Sequence, residues 1–184
     1  MSIRTRVARL LLIACAGGTA ACATPAAEAP PPQTPLPPDA CRALQLDRVP
    51  QLTLPRTLPP QHTDDNKSAP LQIAQPFGIG RTLTGKGRWQ DGADGWSSLT
   101  LRLYSENARS LSIHLSGVRL PRQSELWYCS EDGRMRHGPY RDATGGELWT
   151  PVVSGERALI QVWVPTRARG QFEAVLESVQ GGFR

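Results

Sequence analysis

The chain is poor in lysine, in long apolar runs and in helical periodicity, and each shortage removes a class of protein. Only Lys67 and Lys86 stand among its 21 basic residues, so no lysine run offers a footprint for nucleic acid. No apolar stretch approaches the roughly 20 residues a membrane-spanning helix needs. No segment sustains an i, i+3, i+4 pattern of apolar residues, which points away from helical architectures. Cys-x-x-Cys and His-x-x-x-His spacings are both absent, so nothing starts a zinc site, and neither a metal nor a cofactor is expected. No serine sits in a Gly-x-Ser-x-Gly elbow or in a Gly-Asp-Ser-Gly-Gly motif.

What is present begins with a basic and then apolar amino terminus. Arg4, Arg6 and Arg9 precede Leu10-Leu11-Leu12-Ile13-Ala14-Cys15-Ala16, and small residues lead out through Ala20-Ala21-Cys22. That order is the signature of a secretory leader, expected to occupy residues 1–21. Thr19-Ala20-Ala21-Cys22 resembles a bacterial lipobox, whose cysteine becomes the lipidated first residue of the mature chain, although the pattern prefers Leu where Thr19 stands. Leu12-Ile13-Ala14-Cys15 fits the four-residue pattern better, but it leaves too few apolar residues after Arg9 for a leader core of about 7 to 15. Lipidation at Cys22 is therefore the expectation. Ala23 is not the Asp that holds such lipoproteins at the inner membrane, so the resemblance implies an outer-membrane lipoprotein with its membrane contact made through the lipid. Cleavage after Ala21 or Ala23 is the alternative, and it leaves a soluble secreted protein.

Removing the leader changes the charge. The whole chain is +5, but three arginines leave with residues 1–21 and the remainder carries 18 basic against 16 acidic residues, about +2. The high precursor pI is then no argument for nucleic acid as a partner. Of the four cysteines, Cys15 leaves with the leader and Cys22 is claimed by the lipid. Cys41 and Cys129 remain in an oxidising compartment, where a disulfide is the economical reading.

Between Ala23 and Pro60 stand 11 of the 17 prolines, including Pro30-Pro31-Pro32 and Pro37-Pro38. Such a stretch cannot donate ladder hydrogen bonds and tends toward polyproline II, so residues 22–60 read as a disordered, lipid-anchored tether. Leu44, Leu46, Val49, Leu52 and Leu54 interrupt it and suit a segment along a domain edge, pinned by Cys41. Gln61 to Ser68 reads as a polar loop.

Residues 61–184 then show period two. Leu99, Leu101 and Leu103 alternate with Thr100, Arg102 and Tyr104; Leu111, Ile113 and Leu115 with Ser112, His114 and Ser116. Ala158, Ile160, Val162 and Val164 alternate with Leu159, Gln161 and Trp163; Phe172, Ala174 and Leu176 with Glu173, Val175 and Glu177. Half-buried strands have this pattern. Asp91-Gly92, Asp94-Gly95, Asp132-Gly133 and Gly145-Gly146 supply turns between them. The expected fold is all-β: an antiparallel β-sandwich, jelly-roll-like, behind the proline-rich tether.

Several pieces in order carry a family resemblance. They are Trp89-Gln90-Asp91-Gly92, Trp96-Ser97-Ser98-Leu99-Thr100-Leu101, Asn107-Ala108-Arg109-Ser110-Leu111, Leu120-Pro121 and Glu125-Leu126-Trp127-Tyr128. Gly138-Pro139-Tyr140, Leu148-Trp149-Thr150-Pro151-Val152-Val153-Ser154-Gly155-Glu156 and Val162-Trp163-Val164-Pro165 follow. The chain resembles the N-terminal, prodomain-like β-sandwich that precedes the catalytic domain in secreted bacterial trypsin-like proteases of the lysyl endopeptidase kind. Trp-Thr-Pro-Val-Val-x-Gly-Glu is its most specific piece. The family's catalytic residues have no positions here to be carried onto. The resemblance therefore implies a non-enzymatic module that binds another protein, with a secreted protease as the partner class and inhibitor or chaperone as the role.

Local chemistry adds little. His62, His114 and His137 are scattered, and no spacing joins them to a nucleophile. Asp91 and Asp94 stand beside glycines, where carboxylates cap turns; calcium would need six to eight oxygens and finds two carboxylates. Arg119, Arg122, Arg134, Arg136 and Arg141 read as a solvated face. Five tryptophans outnumber Phe and Tyr at three each. Most are expected to anchor the core, while Trp163, Tyr104 and Trp96 are the candidates for a ligand platform. They carry the alternative function, a carbohydrate or cell-wall binding module, with a glycan as partner.

Overall fold

The computed structural model describes residues 40–41, 46–59 and 72–184. The chain divides into Met1–Gln33 and Thr34–Arg184, and every described residue belongs to the second unit. The leader, the lipidation site Cys22 and most of the tether lie outside the described residues, as do His62 and Lys67.

The elements are β1 (Gln51–Thr53), β2 (Ala74–Thr82), the single helical turn α1 (Leu83–Lys86), β3 (Arg88–Asp91), β4 (Trp96–Tyr104) and β5 (Ser110–Arg119). They continue with β6 (Glu125–Ser130), β7 (Arg136–Tyr140), β8 (Leu148–Trp149), β9 (Val153–Ser154), β10 (Arg157–Pro165) and β11 (Glu173–Gly182). Sheet A runs β1-β4-β10-β6-β7, with β3 also on β4. Sheet B runs β2-β11-β5-β8, with β9 also on β5. Every pairing is antiparallel except β1 with β4. The expected β-sandwich is what forms.

The alternation explains the layers. Leu99, Leu101 and Leu103 of β4 and Ala158, Ile160, Val162 and Val164 of β10 face Leu111, Ile113 and Leu115 of β5 and Ala174, Leu176 and Val179 of β11 in one core. Burying each such leucine or valine stabilises by roughly 1.5–3 kcal/mol. A second, small cluster lies on the outer side of sheet A, where Ala40 and Cys41 cover Leu159 and Cys129, with Trp127 packed alongside. The disulfide Cys41–Cys129 closes there, as the cysteine count implied.

The sandwich takes in residues that composition assigned to the tether. Gln51–Thr53 pairs with Arg102–Tyr104, Leu54 joins the core, and the backbone N–H of Leu54 donates to Tyr104 O at 2.8 Å. Thr57 is fully buried and shares a 2.8 Å hydrogen bond with the Ser105 hydroxyl. The boundary at residue 61 is thus too late. Pro50 and Pro55 only bracket β1, and the four residues between them keep their donors.

Prolines also mark the margins of the sandwich. Pro76 lies in the marginal strand β2, Pro139 in the marginal strand β7, and Pro151 between β8 and β9. Each denies its margin a backbone donor.

Candidate functional site

The structure places the platform residues expected from sequence apart and at least half-buried. Trp96 is 1% exposed and presents no ring face to solvent. Trp163 does project from the outer side of sheet A, opposite Val162, but it is half-buried and its indole Nε1 is sealed from water without a partner. Tyr104 is half-buried, and the Arg157 guanidinium lies over its ring at 4.9 Å. The side of sheet A expected to be open is covered because the Ala40–Cys41 segment crosses it, donating from Cys41 N–H to Gln161 Oε1 at 2.6 Å.

The exposed tryptophan is Trp149, at 62% of its surface. It ends β8, whose register places it across from His114 of β5. The two rings stack, with centroids 3.7 Å apart and planes 7° from parallel. His114 Nε2 is hydrogen-bonded to the Glu147 carboxylate, which fixes the imidazole and so braces the indole. One indole face therefore rests on a held ring and the other is open. Sequence reading passed over Trp149 because a two-residue strand shows no alternation; its place inside the Trp-Thr-Pro-Val-Val piece was the available signal.

Around this stack the outer side of sheet B is polar and small. Ser112, Ser116, Ser178 and Gln180 are half-buried on it. Ser116 Oγ donates to Glu177 at 2.6 Å, and Gln180 Nε2 donates to Ser178 Oγ at 3.1 Å. The strands shift register between Leu176 and Ser178. Glu177 points out by alternation from Leu176, and the bulge turns Ser178 out beside it and returns Val179 to the core, a re-aiming that bulges commonly produce. Beyond Trp149, Val152 is 52% exposed, and His137 Nε2–H donates to its carbonyl at 3.1 Å, tying β7 to the β8–β9 margin.

The other chemical candidates are structural. Asp91 accepts from Ser97 Oγ at 2.6 Å and from Arg169 at 2.9 and 3.0 Å. The Ser97 hydrogen bond, with Arg169 beside it, holds the Asp91 carboxyl below its ordinary range. Arg169 also lies over Trp89, 5.8 Å from the ring centre, so this carboxylate locks a turn and is not free for calcium. Among the described residues no three His, Cys, Asp or Glu side chains gather as a metal site. A polar hollow of about 260 Å³ beside Glu131, Asp132 and Glu156 has its acids engaged. Glu131 meets Arg102 and Arg157, Asp132 takes the Ser130 hydroxyl, and Glu156 takes the Asn107 N–H. Of the arginine face, Arg119, Arg134 and Arg141 are paired to Glu173, Asp132 and Glu125. Burial raises the Tyr128 hydroxyl well above its ordinary range, which keeps it neutral in the core.

The described residues form a two-layer β-sandwich whose most accessible tryptophan stands on a polar sheet surface. The family model of the lysyl endopeptidase N-terminal domain matches residues 45–172. That span covers well over half of the chain, and the chain belongs to this family. The matched model describes the N-terminal domain of that protease and not its catalytic domain. It begins ahead of β1, in agreement with the earlier start of the sandwich. No curated protein matches the chain.

Proposed function

We propose that this protein is a non-catalytic binding module that recognises a glycan on the outer side of sheet B. The observation that carries the reading is Trp149, 62% exposed and stacked on a histidine that Glu147 holds in place. A flat apolar ring fixed in one orientation takes the apolar face of a sugar at little entropic cost, and neighbouring hydroxyl and amide groups meet its hydroxyls. The module works outside the cytoplasm, anchored at an outer membrane through lipidated Cys22. Mass spectrometry of the mature chain tests the anchor: a diacyl or triacyl Cys22 supports it, and a free thiol there refutes it.

A second reading is a protein partner of the secreted-protease class. It is favoured by Trp149 itself, 62% exposed with Val152 also 52% exposed nearby, because tryptophan is among the residues most enriched at interface hot spots. Trp149→Ala separates these readings from a purely structural tryptophan. Loss of oligosaccharide-induced change in tryptophan fluorescence supports the glycan. Loss of binding to or inhibition of a protease secreted by the same cell, with no response to sugars, supports the protein partner.

A further inference from the structure

One glycine on the marginal strand β2 of sheet B, next to the register shift with β11, is required neither by space nor by its φ. A Cβ added to Gly78 meets nothing within 4 Å, and its φ is not in the left-handed region. Glycine inside a strand lowers stability, and it recurs where a ligand comes close to the backbone. Gly80, two residues on, is different: its φ of +57° requires glycine.

The register shows what Gly78 belongs to. Trp149 stands across from His114, His114 across from Ser178, and Ser178 across from Gly78. These four residues form one row over β8, β5, β11 and β2, all on the outer side, because their neighbours Ile113, Val179 and Phe77 are in the core. Side-chain height falls along the row from indole to imidazole to hydroxymethyl to hydrogen. The next row, Ser112, Gln180 and Pro76, is also low. The bulge at Leu176/Ser178 brings Ser178 onto this floor next to the Glu177 carboxylate, which is already outward.

We propose that this step and floor form a saccharide-binding trough running from Trp149 to Gly78, with a neutral sugar chain as its ligand. The proposal rests on the glycan reading above and adds where the chain lies and which sugars fit. Four strands at the usual spacing span about 14 Å, enough for more than one sugar ring. Stacked rings form one wall, and Ser178, Ser112 and Gln180 supply donors and acceptors for hydroxyl groups. Glu147 and Glu177 bring negative charge to the trough, which disfavours anionic polysaccharides and selects neutral ones. Gly78 keeps the floor low enough for a ring to lie against the backbone.

The test uses the full chain and a panel of neutral oligosaccharides from β-glucan, chitin and mannan, read by calorimetry and tryptophan fluorescence. Trp149→Ala and Gly78→Val are each expected to weaken binding of the best oligosaccharide at least tenfold, while Trp163→Ala leaves it within twofold. Gly78→Val is expected to melt no lower than the parent, since valine suits a strand and finds open space there. Ser178→Leu, which raises the floor from the adjacent strand, is expected to match Gly78→Val. If Trp149→Ala loses binding but Gly78→Val and Ser178→Leu retain it, the trough is wrong and the Trp149 platform stands. A large drop in melting temperature for Gly78→Val also overturns the trough, because the glycine is then structural. Binding by no member of the panel overturns both the trough and the glycan reading, as does a protein ligand held at Trp149 alone.

Discussion

Breaking the Cys41–Cys129 bridge is the most demanding perturbation of this fold. The bond links positions 88 residues apart in sequence, the second of them in β6 within sheet A. Cross-linking a loop of that length removes chain entropy from the unfolded state worth about 4.6 kcal/mol at 25 °C in the chain-entropy model. For a domain of this size, that loss lowers the midpoint of thermal unfolding by about 15 °C. The bond also holds Ala40 and Cys41 over Leu159, so its removal opens an apolar strip on the outer side of sheet A. Cys41→Ser with Cys129→Ala avoids leaving a free buried thiol. Urea unfolding of parent and variant, followed by tryptophan fluorescence, measures both the loss and the slope. The slope should rise in the variant, because an uncrosslinked chain exposes more surface when it unfolds. A loss below 1 kcal/mol with an unchanged slope refutes the reasoning. It would mean that contacts such as Thr57 with Ser105 restrain the amino-terminal segment without the bridge.

Three further perturbations have expected outcomes. Gly181→Ala places its Cβ on the Thr57 hydroxyl and 2.9 Å from Phe77 Cε2, so it should destabilise by about 1–3 kcal/mol, read by chemical denaturation. Asp91 has a carboxyl held below its usual range by Ser97 and then Arg169, so its contribution is full above roughly pH 4 and falls away as the pH drops below that. Asp91→Asn should therefore flatten the acid limb of a melting-temperature-against-pH curve, and an unchanged limb counts against this lock. Trp96→Ala, at a 1% exposed site, should cost about 3–5 kcal/mol, whereas Trp149→Ala should stay within about 1 kcal/mol of the parent in the same denaturation assay.

Much of the sandwich was legible because alternation is a direct consequence of burying one side of a strand. Leu99 to Leu103, Leu111 to Leu115 and Ala158 to Val164 all point where their periodicity places them. Period two says nothing about what covers the other side. Leu159 alternates out of the core and is still 1% exposed, because Ala40 and Cys41 lie on it. The same crossing covers part of the outer side of β10, where Trp163 is half-buried. β1 was hidden by its flanking prolines, and the site by a different limit. Trp149 meets His114 through the pairing of β8 with β5, and pairing between strands leaves no trace in a single sequence. The β11 bulge likewise breaks alternation after Leu176, where the pattern had given no reason to stop.

The prolines at the margins carry a consequence for how such a module behaves in a crowd. A sandwich with bare outer strands invites its neighbours to continue the ladder, and at high local concentration that is the route to fibres. Pro76, Pro139 and Pro151 interrupt that route at three margins of the two sheets. Many copies can therefore stand side by side, each offering its own indole, without templating one another. On the proposed glycan reading, arrayed weak contacts would add up, and a repetitive ligand would be held by the population far more firmly than by any one molecule.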